Sequence, residues 1–212
     1  MSKKYGVGLC LAAAVAGAWA NDGLQSLEGF VKGAKSGRAE FTQTVTAPSR
    51  DGQPPRSKTS SGTFEFQRPG KFKFDYRKPF AQTIVADGQS LWLYDVELNQ
   101  VTQRRQAQVL GATPAALVAA APDLRALQAD FILESAPERD GLQWAKATPR
   151  TKDGQLQSIQ VGFQGDALAA LEILDSFGQR SVLKFSKVEV NPALAAATFA
   201  FKAPAGADLL KE

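Results

Sequence analysis

What constrains this chain most is a period of two that keeps returning. Over residues 38–47, Ala39, Phe41, Gln43 and Val45 fall on one side and Arg38, Glu40, Thr42, Thr44 and Thr46 on the other. That is the pattern of a strand with one face against a core. The same alternation groups Phe64 with Phe66 over 63–67, and Phe72, Phe74 and Tyr76 over 71–77. It returns at 82–86, 90–94, 100–104, 131–134, 142–147, 157–163, 168–174, 181–190 and 198–201, with turn dipeptides such as Asp87-Gly88, Asp140-Gly141 and Asp153-Gly154 in between. These runs predict a mainly β fold of about eleven strands in an antiparallel meander, curled because so many strands do not stay flat. Residues 48–61 carry Pro, Gly, Ser and charges without period, and read as a long loop.

Two stretches depart from this period. Leu24, Leu27, Val31 and Ala34 recur at helical spacing behind Asn21 or Asp22, either of which can serve as N-cap. In mid-sequence, Thr113 and Pro114 precede Ala115, Ala116, Leu117, Val118, Ala119 and Ala120, and Pro122 ends the run. A cap, a proline at the first helical position and a series of helix formers predict a short helix, and a further helical turn is expected at 123–127. These central helices are almost wholly apolar, so they must lie against an apolar surface.

The amino terminus reads as an address. Lys3 and Lys4 precede an apolar run over 7–18, and Ala18-Trp19-Ala20 supplies the small residues that a secretory peptidase needs, so cleavage is expected before Asn21. The apolar run is shorter than the roughly 20 residues that cross a bilayer. Cys10, the single cysteine, lies inside it behind Leu9, which does not suit a lipoprotein signal. The exported chain, residues 21–212 as one domain, then holds no cysteine and needs none, having a core large enough to dispense with disulfides.

The residue types exclude much chemistry. Histidine is absent, so neither a Ser-His-Asp nor a Cys-His pair is available. No phosphate-cradling glycine loop or metal-ligand motif occurs, and no cofactor is implied. Two units of the formal net charge of +4 come from Lys3 and Lys4, leaving too weak a field for nucleic acid. Lys71, Lys73 and Arg77 interleave with aromatics, but alternation puts cations and rings on opposite faces, whereas a base-stacking platform needs them together. That basic face is at most a docking surface for partners. Glu172 and Asp175 are the carboxylate pair on which a glycosidase reading would rest.

What remains is a supply of large apolar side chains on one face: Phe41, Phe64, Phe66, Phe72, Phe74, Tyr76 and Ile84, with Leu91 and Leu93 or Trp92. The pattern is compatible with a solid core under the helices. It is equally compatible with an apolar concavity under a movable lid, to which Leu117 and Val118 would contribute. Periodicity does not separate the two.

The stretch Arg68-Pro69-Gly70-Lys71-Phe72-Lys73-Phe74-Asp75-Tyr76-Arg77-Lys78-Pro79 is followed by Asp87-Gly88-Gln89-Ser90-Leu91-Trp92-Leu93-Tyr94-Asp95 and by Leu98-Asn99-Gln100-Val101. With Phe41-Thr42-Gln43, with Thr113 to Leu117, and with the tail from Asn191-Pro192 through Thr198-Phe199-Ala200-Phe201 to Gly206, this order resembles the LolA family of periplasmic outer-membrane lipoprotein carriers over essentially the whole exported chain. The resemblance implies an incomplete, half-open β-barrel, an N-terminal helix, and central helices closing an apolar interior as a lid. It also implies a monomer that takes acylated lipoproteins from an inner-membrane ATP-driven transporter and passes them to an outer-membrane acceptor. Under it Arg68 is the latch that hydrogen-bonds lid backbone, Phe74 lines the cavity where tryptophan is usual, and Phe72 lies near the mouth. The sequence departs from the family at Lys73-Phe74, where Arg-Trp is frequent, at the small lid residues Ala115 and Ala116, and in the length of the 48–61 segment. A carrier of another amphiphile, such as a glycolipid, is the alternative within the same fold.

Overall fold

The computed structural model of the chain describes residues 22–49, 53–109, 121–151 and 154–211. The leader 1–20 and the lid residues Thr113, Pro114, Ala115, Ala116, Leu117 and Val118 lie outside the described residues. Helix α1 (Gly23–Gly33) comes first, capped by the Asp22 carboxylate, which accepts from the Gln25 N–H at 2.8 Å. The strands are β1 (Ser36–Thr46), β2 (Ser57–Gln67), β3 (Lys71–Lys78), β4 (Gln82–Asp87), β5 (Ser90–Asp95), β6 (Gln100–Arg105), β7 (Phe131–Arg139), β8 (Leu142–Pro149), β9 (Leu156–Gln164), β10 (Ala167–Asp175), β11 (Arg180–Val190) and β12 (Asp208–Lys211). Between β6 and β7 lie α2 (Gln106–Val109) and α3 (Leu124–Asp130); α3 is capped by Asp123 and runs three residues past the helical turn expected at 123–127.

All twelve strands form one sheet in the order β12-β6-β5-β4-β3-β2-β1-β11-β10-β9-β8-β7. Neighbours are antiparallel apart from β12, which runs parallel to β6. The margins, β12 and β7, do not pair with each other, so the sheet curls without closing into a barrel. Strand β6 stands next to one margin and is followed by α2, and β7 stands at the other margin and is preceded by α3.

The inner face holds the core. Phe41, Phe64, Phe66, Phe72 and Phe74 are buried with Ala86, Leu91, Ile159, Val161, Phe163, Leu171 and Leu183. Helix α1 lays Leu27, Phe30 and Val31 into that face against β7, β8 and β9. On β5 the inward side chain is Leu91, with Leu93 opposite Ile84, while Trp92 turns to the other face and stacks on Phe201 at 5.8 Å.

Three expectations need correction. The 48–61 segment is not a loop throughout, because β2 begins at Ser57 and pairs with β1 over its whole length. Residues 57–62 lack an apolar face and are held by the ladder and by hydroxyl pairs such as Thr46 Oγ1 with Ser57 Oγ at 2.9 Å. Residues 198–201 form no strand; a 3-10 turn over Ala196–Phe199 buries Phe199 and presents Phe201 to Trp92. Strand β7 continues past 134 to Arg139, with Pro137 accommodated at a register shift on a sheet margin, where a missing N–H costs no ladder bond.

Candidate functional site

The rings make one continuous buried row because β1, β2 and β3 are in register. Phe41 lies opposite Gly62, and Gly62 opposite Tyr76; Ala39 lies opposite Phe64, and Phe64 opposite Phe74. Ring centroids are 4.4 Å apart for Phe64 and Phe74, 5.0 Å for Phe41 and Tyr76, and 5.6 Å for Phe41 and Phe74. Phe72 continues the row at 6.2 Å from Phe74, and Ile84 on β4 pairs with Phe74 from the next strand. The structure thus brings together Phe41, Phe64, Phe66, Phe72, Phe74, Tyr76 and Ile84 on the concave side. The outward residues are separate: Lys71 and Lys73 are half-buried and Arg77 is exposed, away from every ring of that row.

One end of this surface is polar. The Tyr76 hydroxyl donates to Gln43 Oε1 at 2.8 Å, and Gln43 Nε2 donates to Ser181 Oγ at 2.7 Å. Burial pushes the Tyr76 phenol up to about 12, because low-dielectric surroundings disfavour the phenolate.

Arg68 stands at the other end, in the turn between β2 and β3. Its backbone N–H donates to Lys35 O at 2.8 Å. Its Nε donates to Ala34 O at 2.8 Å, at the end of α1, and its Nη1 donates to Ala121 O, in the connection that leads into α3. The guanidinium carbon lies 5.4 Å from the ring centres of both Phe30 and Phe66. Desolvation lowers the guanidinium to about 10, which leaves it protonated at neutral pH. One planar fork therefore ties the end of the first helix, the row of rings and the residue that leads into α3 together.

Two residues at this end were given no role from the sequence. Gln106, buried at the start of α2, donates from Nε2 to Gly70 O at 2.6 Å and accepts from the Gly88 N–H at 2.9 Å. It joins the turn that carries Arg68 to the β4–β5 turn. Asn191, at φ +57°, accepts from the Lys35 and Ser36 N–H groups and donates to Gly33 O, closing the end of α1. Gln106 has no sequence signal beyond a polar residue at the edge of a strand, and Asn191 entered only as the first residue of the Asn191-Pro192 tail. Phe30, 5.9 Å from Phe66 and 5.8 Å from Phe163, was legible as part of the α1 stripe, three residues after Leu27.

The carboxylate pair has other work. Glu172 is gripped by Arg180 at 2.8 Å and Arg139 at 2.9 Å. Its partial burial favours protonation, but the hydrogen bonds and charges of the two arginines outweigh this and hold the carboxyl below its ordinary value. A carboxylate kept ionised is poorly suited to act as a general acid. Asp175, three positions on and so facing the other way, accepts the N–H groups of Phe177 and Gln179 in its own turn. Among the described residues no cluster of potential ligands could hold a metal ion, and no helix is long and apolar enough to cross a membrane.

An unclosed, curled sheet with a row of rings on its inner face defines the class of half-barrel proteins with an apolar concave face. Residues 32–202 match the family model described as outer membrane lipoprotein carrier protein LolA, and the chain belongs to that family. An outer-membrane lipoprotein carrier protein of Albidiferax ferrireducens is 67% identical over 99% of this chain and 100% of its own length. A protein of the same description from Methylibium petroleiphilum is 54% identical over 96% and 95%. Among solved structures, an uncharacterized conserved protein from Thermus thermophilus is similar in fold, with a TM-score of 0.50 at 13% identity over 89% of this chain and 96% of that one.

Proposed function

We propose that this chain is a periplasmic carrier of lipoproteins, taking the acyl chains of cargo released from the inner membrane against its ring-bearing face and handing them to an outer-membrane acceptor. The leader 1–20 is removed on export, and residues 21–212 act as a single carrier domain. The observation that carries this reading is the continuous row of rings from Phe72 to Tyr76 on the concave side of a sheet that does not close. Membership of the LolA family and the similarity to outer-membrane lipoprotein carrier proteins of other bacteria support it.

Physical scale supports the same scheme. An acyl chain of about 16 methylenes gains on the order of 12 kcal/mol on leaving water, so free lipoprotein does not persist in an aqueous compartment. Complete burial of two or three such chains would exceed the roughly 18 to 21 kcal/mol at which non-covalent affinity saturates, and such a carrier could not let go. Partial burial followed by direct transfer to a more apolar acceptor avoids both extremes. Nothing in this scheme asks the carrier for chemistry; extraction is driven by the ATP-dependent donor. Phe41, Phe64, Phe66, Phe72, Phe74, Tyr76, Ile84, Leu117 and Val118 form the acyl site, Thr113, Pro114, Ala115 and Ala116 belong to its cover, and Arg68 latches that cover in the cargo-free protein. Depletion of the protein in its own cell tests the reading: lipoproteins should accumulate in the inner membrane, and their normal arrival at the outer membrane would refute it.

A further inference from the structure

Gln106 is only 3% exposed, and its side chain bonds two turns at once. On one side it is fixed to the β4–β5 turn: its Oε1 accepts from the Gly88 N–H at 2.9 Å, and its own N–H donates to Gln89 O at 2.9 Å. That turn is already locked, because the Asp87 carboxylate accepts from the N–H groups of Gln89 and Ser90, each at 2.8 Å. On the other side Gln106 Nε2 donates to Gly70 O at 2.6 Å, in the turn 68–70 that carries Arg68. The two turns touch there: Gly70 lies at φ +74°, and a Cβ on it would be 3.3 Å from Gly88 Cα.

The turn 68–70 has a second task. Arg68 reaches from it to Ala34 O and Ala121 O, and its own N–H donates to Lys35 O. The Lys35 bond holds the turn where the chain enters it, and the Gln106 bond holds it where the chain leaves. Gln106, the first residue after β6, and Ala121, ahead of α3, are thus bonded to the same turn. We propose that Gln106 is a positioning residue for Arg68, its carboxamide pinning Gly70 O to the Asp87-locked turn and so setting the reach of the guanidinium to Ala34 O and Ala121 O. A glutamine suits this task because one neutral group supplies an acceptor for Gly88 and a donor for Gly70, so no charge is buried. An ionised glutamate would keep the bond from Gly88 but set a carboxylate against Gly70 O, and a methionine would fill the space and make neither bond. A planar fork that has to meet two carbonyls tolerates little displacement of its base. The consequence for cargo release rests on the carrier reading; the positioning itself does not.

The test uses the purified protein in the form in which the cell accumulates it, with two readouts. The first is hydrogen exchange of the Arg68 Nε–H, followed by heteronuclear NMR and assigned by its absence from Arg68→Leu. Bonded to Ala34 O, this proton should exchange slowly in the parent, and about tenfold faster in Gln106→Glu and in Gln106→Met. The second is delivery of acylated cargo to the acceptor, which each variant should lower about fivefold in the parental background, with no further loss beside Arg68→Leu. A residue that only supported the fold would lower the urea midpoint, yet leave the Nε–H exchange at the parental rate and depress delivery equally in both backgrounds. Either of the last two results, in variants that still unfold cooperatively, overturns the proposal. Should Gln106→Glu not fold, Gln106→Met carries the test, since it adds no charge. If the parent itself delivers no acylated cargo, the carrier reading fails, while the Nε–H exchange still decides whether Gln106 positions Arg68.

Discussion

Phe41 and Tyr76 sit on different strands yet meet edge to face at 5.0 Å, because the residue between them in the register is Gly62. A Cβ at position 62 would lie 2.0 Å from Asp75 O, so even the smallest side chain displaces backbone at the β2–β3 register shift. We expect Gly62→Val to destabilise the protein by about 2 to 4 kcal/mol through overpacking and loss of the ring contact. Urea unfolding followed by tryptophan fluorescence should show a lower midpoint with an unchanged slope. An unchanged midpoint would mean that the two rings do not depend on the gap.

Tyr76 predicts an alkaline signature. The folded phenol is raised to about 12 by burial, while in the unfolded chain it ionises near 10. Its contribution is therefore complete below about pH 10 and is lost as pH rises toward 12, where only the unfolded state has released the proton. Arg68 acts in the opposite direction over the same range, because its lowered folded value makes the native state release a proton first. The stability difference between the parent and Tyr76→Phe isolates the tyrosine, and should shrink by about 2 to 3 kcal/mol between pH 10 and 12. Ultraviolet titration of the native protein should show a late phenolate step that Tyr76→Phe lacks.

How much of this was legible depended on whether a residue's role was expressed in its neighbours' polarity. Phe72, Phe74 and Tyr76 announced β3 because an inward ring alternates there with an outward polar group, and the register then placed them beside Phe41 and Phe64. Residues 57–62 are as extended as any, but Ser, Lys, Thr and Gly on both faces leave no period to detect. Thr198-Phe199-Ala200-Phe201 imitates a strand, yet Phe199 is buried beneath a 3-10 turn and Phe201 caps the outer face of β5. Strand β12 is exposed at all four positions and is held to β6 by parallel backbone bonds, which pattern does not encode. Arg68 became a site through the resemblance; its partners Ala34 and Ala121 are backbone carbonyls, which no side-chain pattern reveals.

Phe74 lies at the centre of the ring surface, 4.4 Å from Phe64 and 5.6 Å from Phe41. Phe74→Glu places a carboxyl where acyl chains are proposed to lie, and should reduce the lipoprotein that co-purifies with the protein. Phe74→Leu keeps the surface apolar at a smaller cost in packing, and should retain cargo. Normal co-purification with Phe74→Glu, in a protein that still unfolds cooperatively, would count against an acyl-lined face.

Arg68 should decide release rather than folding. Its bonds to Ala34 O and Ala121 O are charge-assisted, and in the proposed cycle they form in the cargo-free state. If together they favour that state by about 2 kcal/mol net, losing them shifts the balance toward the loaded state by about thirtyfold. Arg68→Leu should therefore remain folded, hold acylated cargo more tightly, and deliver less of it to the acceptor in a reconstituted transfer assay. Arg68→Lys retains the charge but not the planar fork, so it should restore transfer only in part. Delivery by Arg68→Leu at the parental rate would remove the latch from the mechanism, because the carbonyls of Ala34 and Ala121 would then be joined without consequence for release.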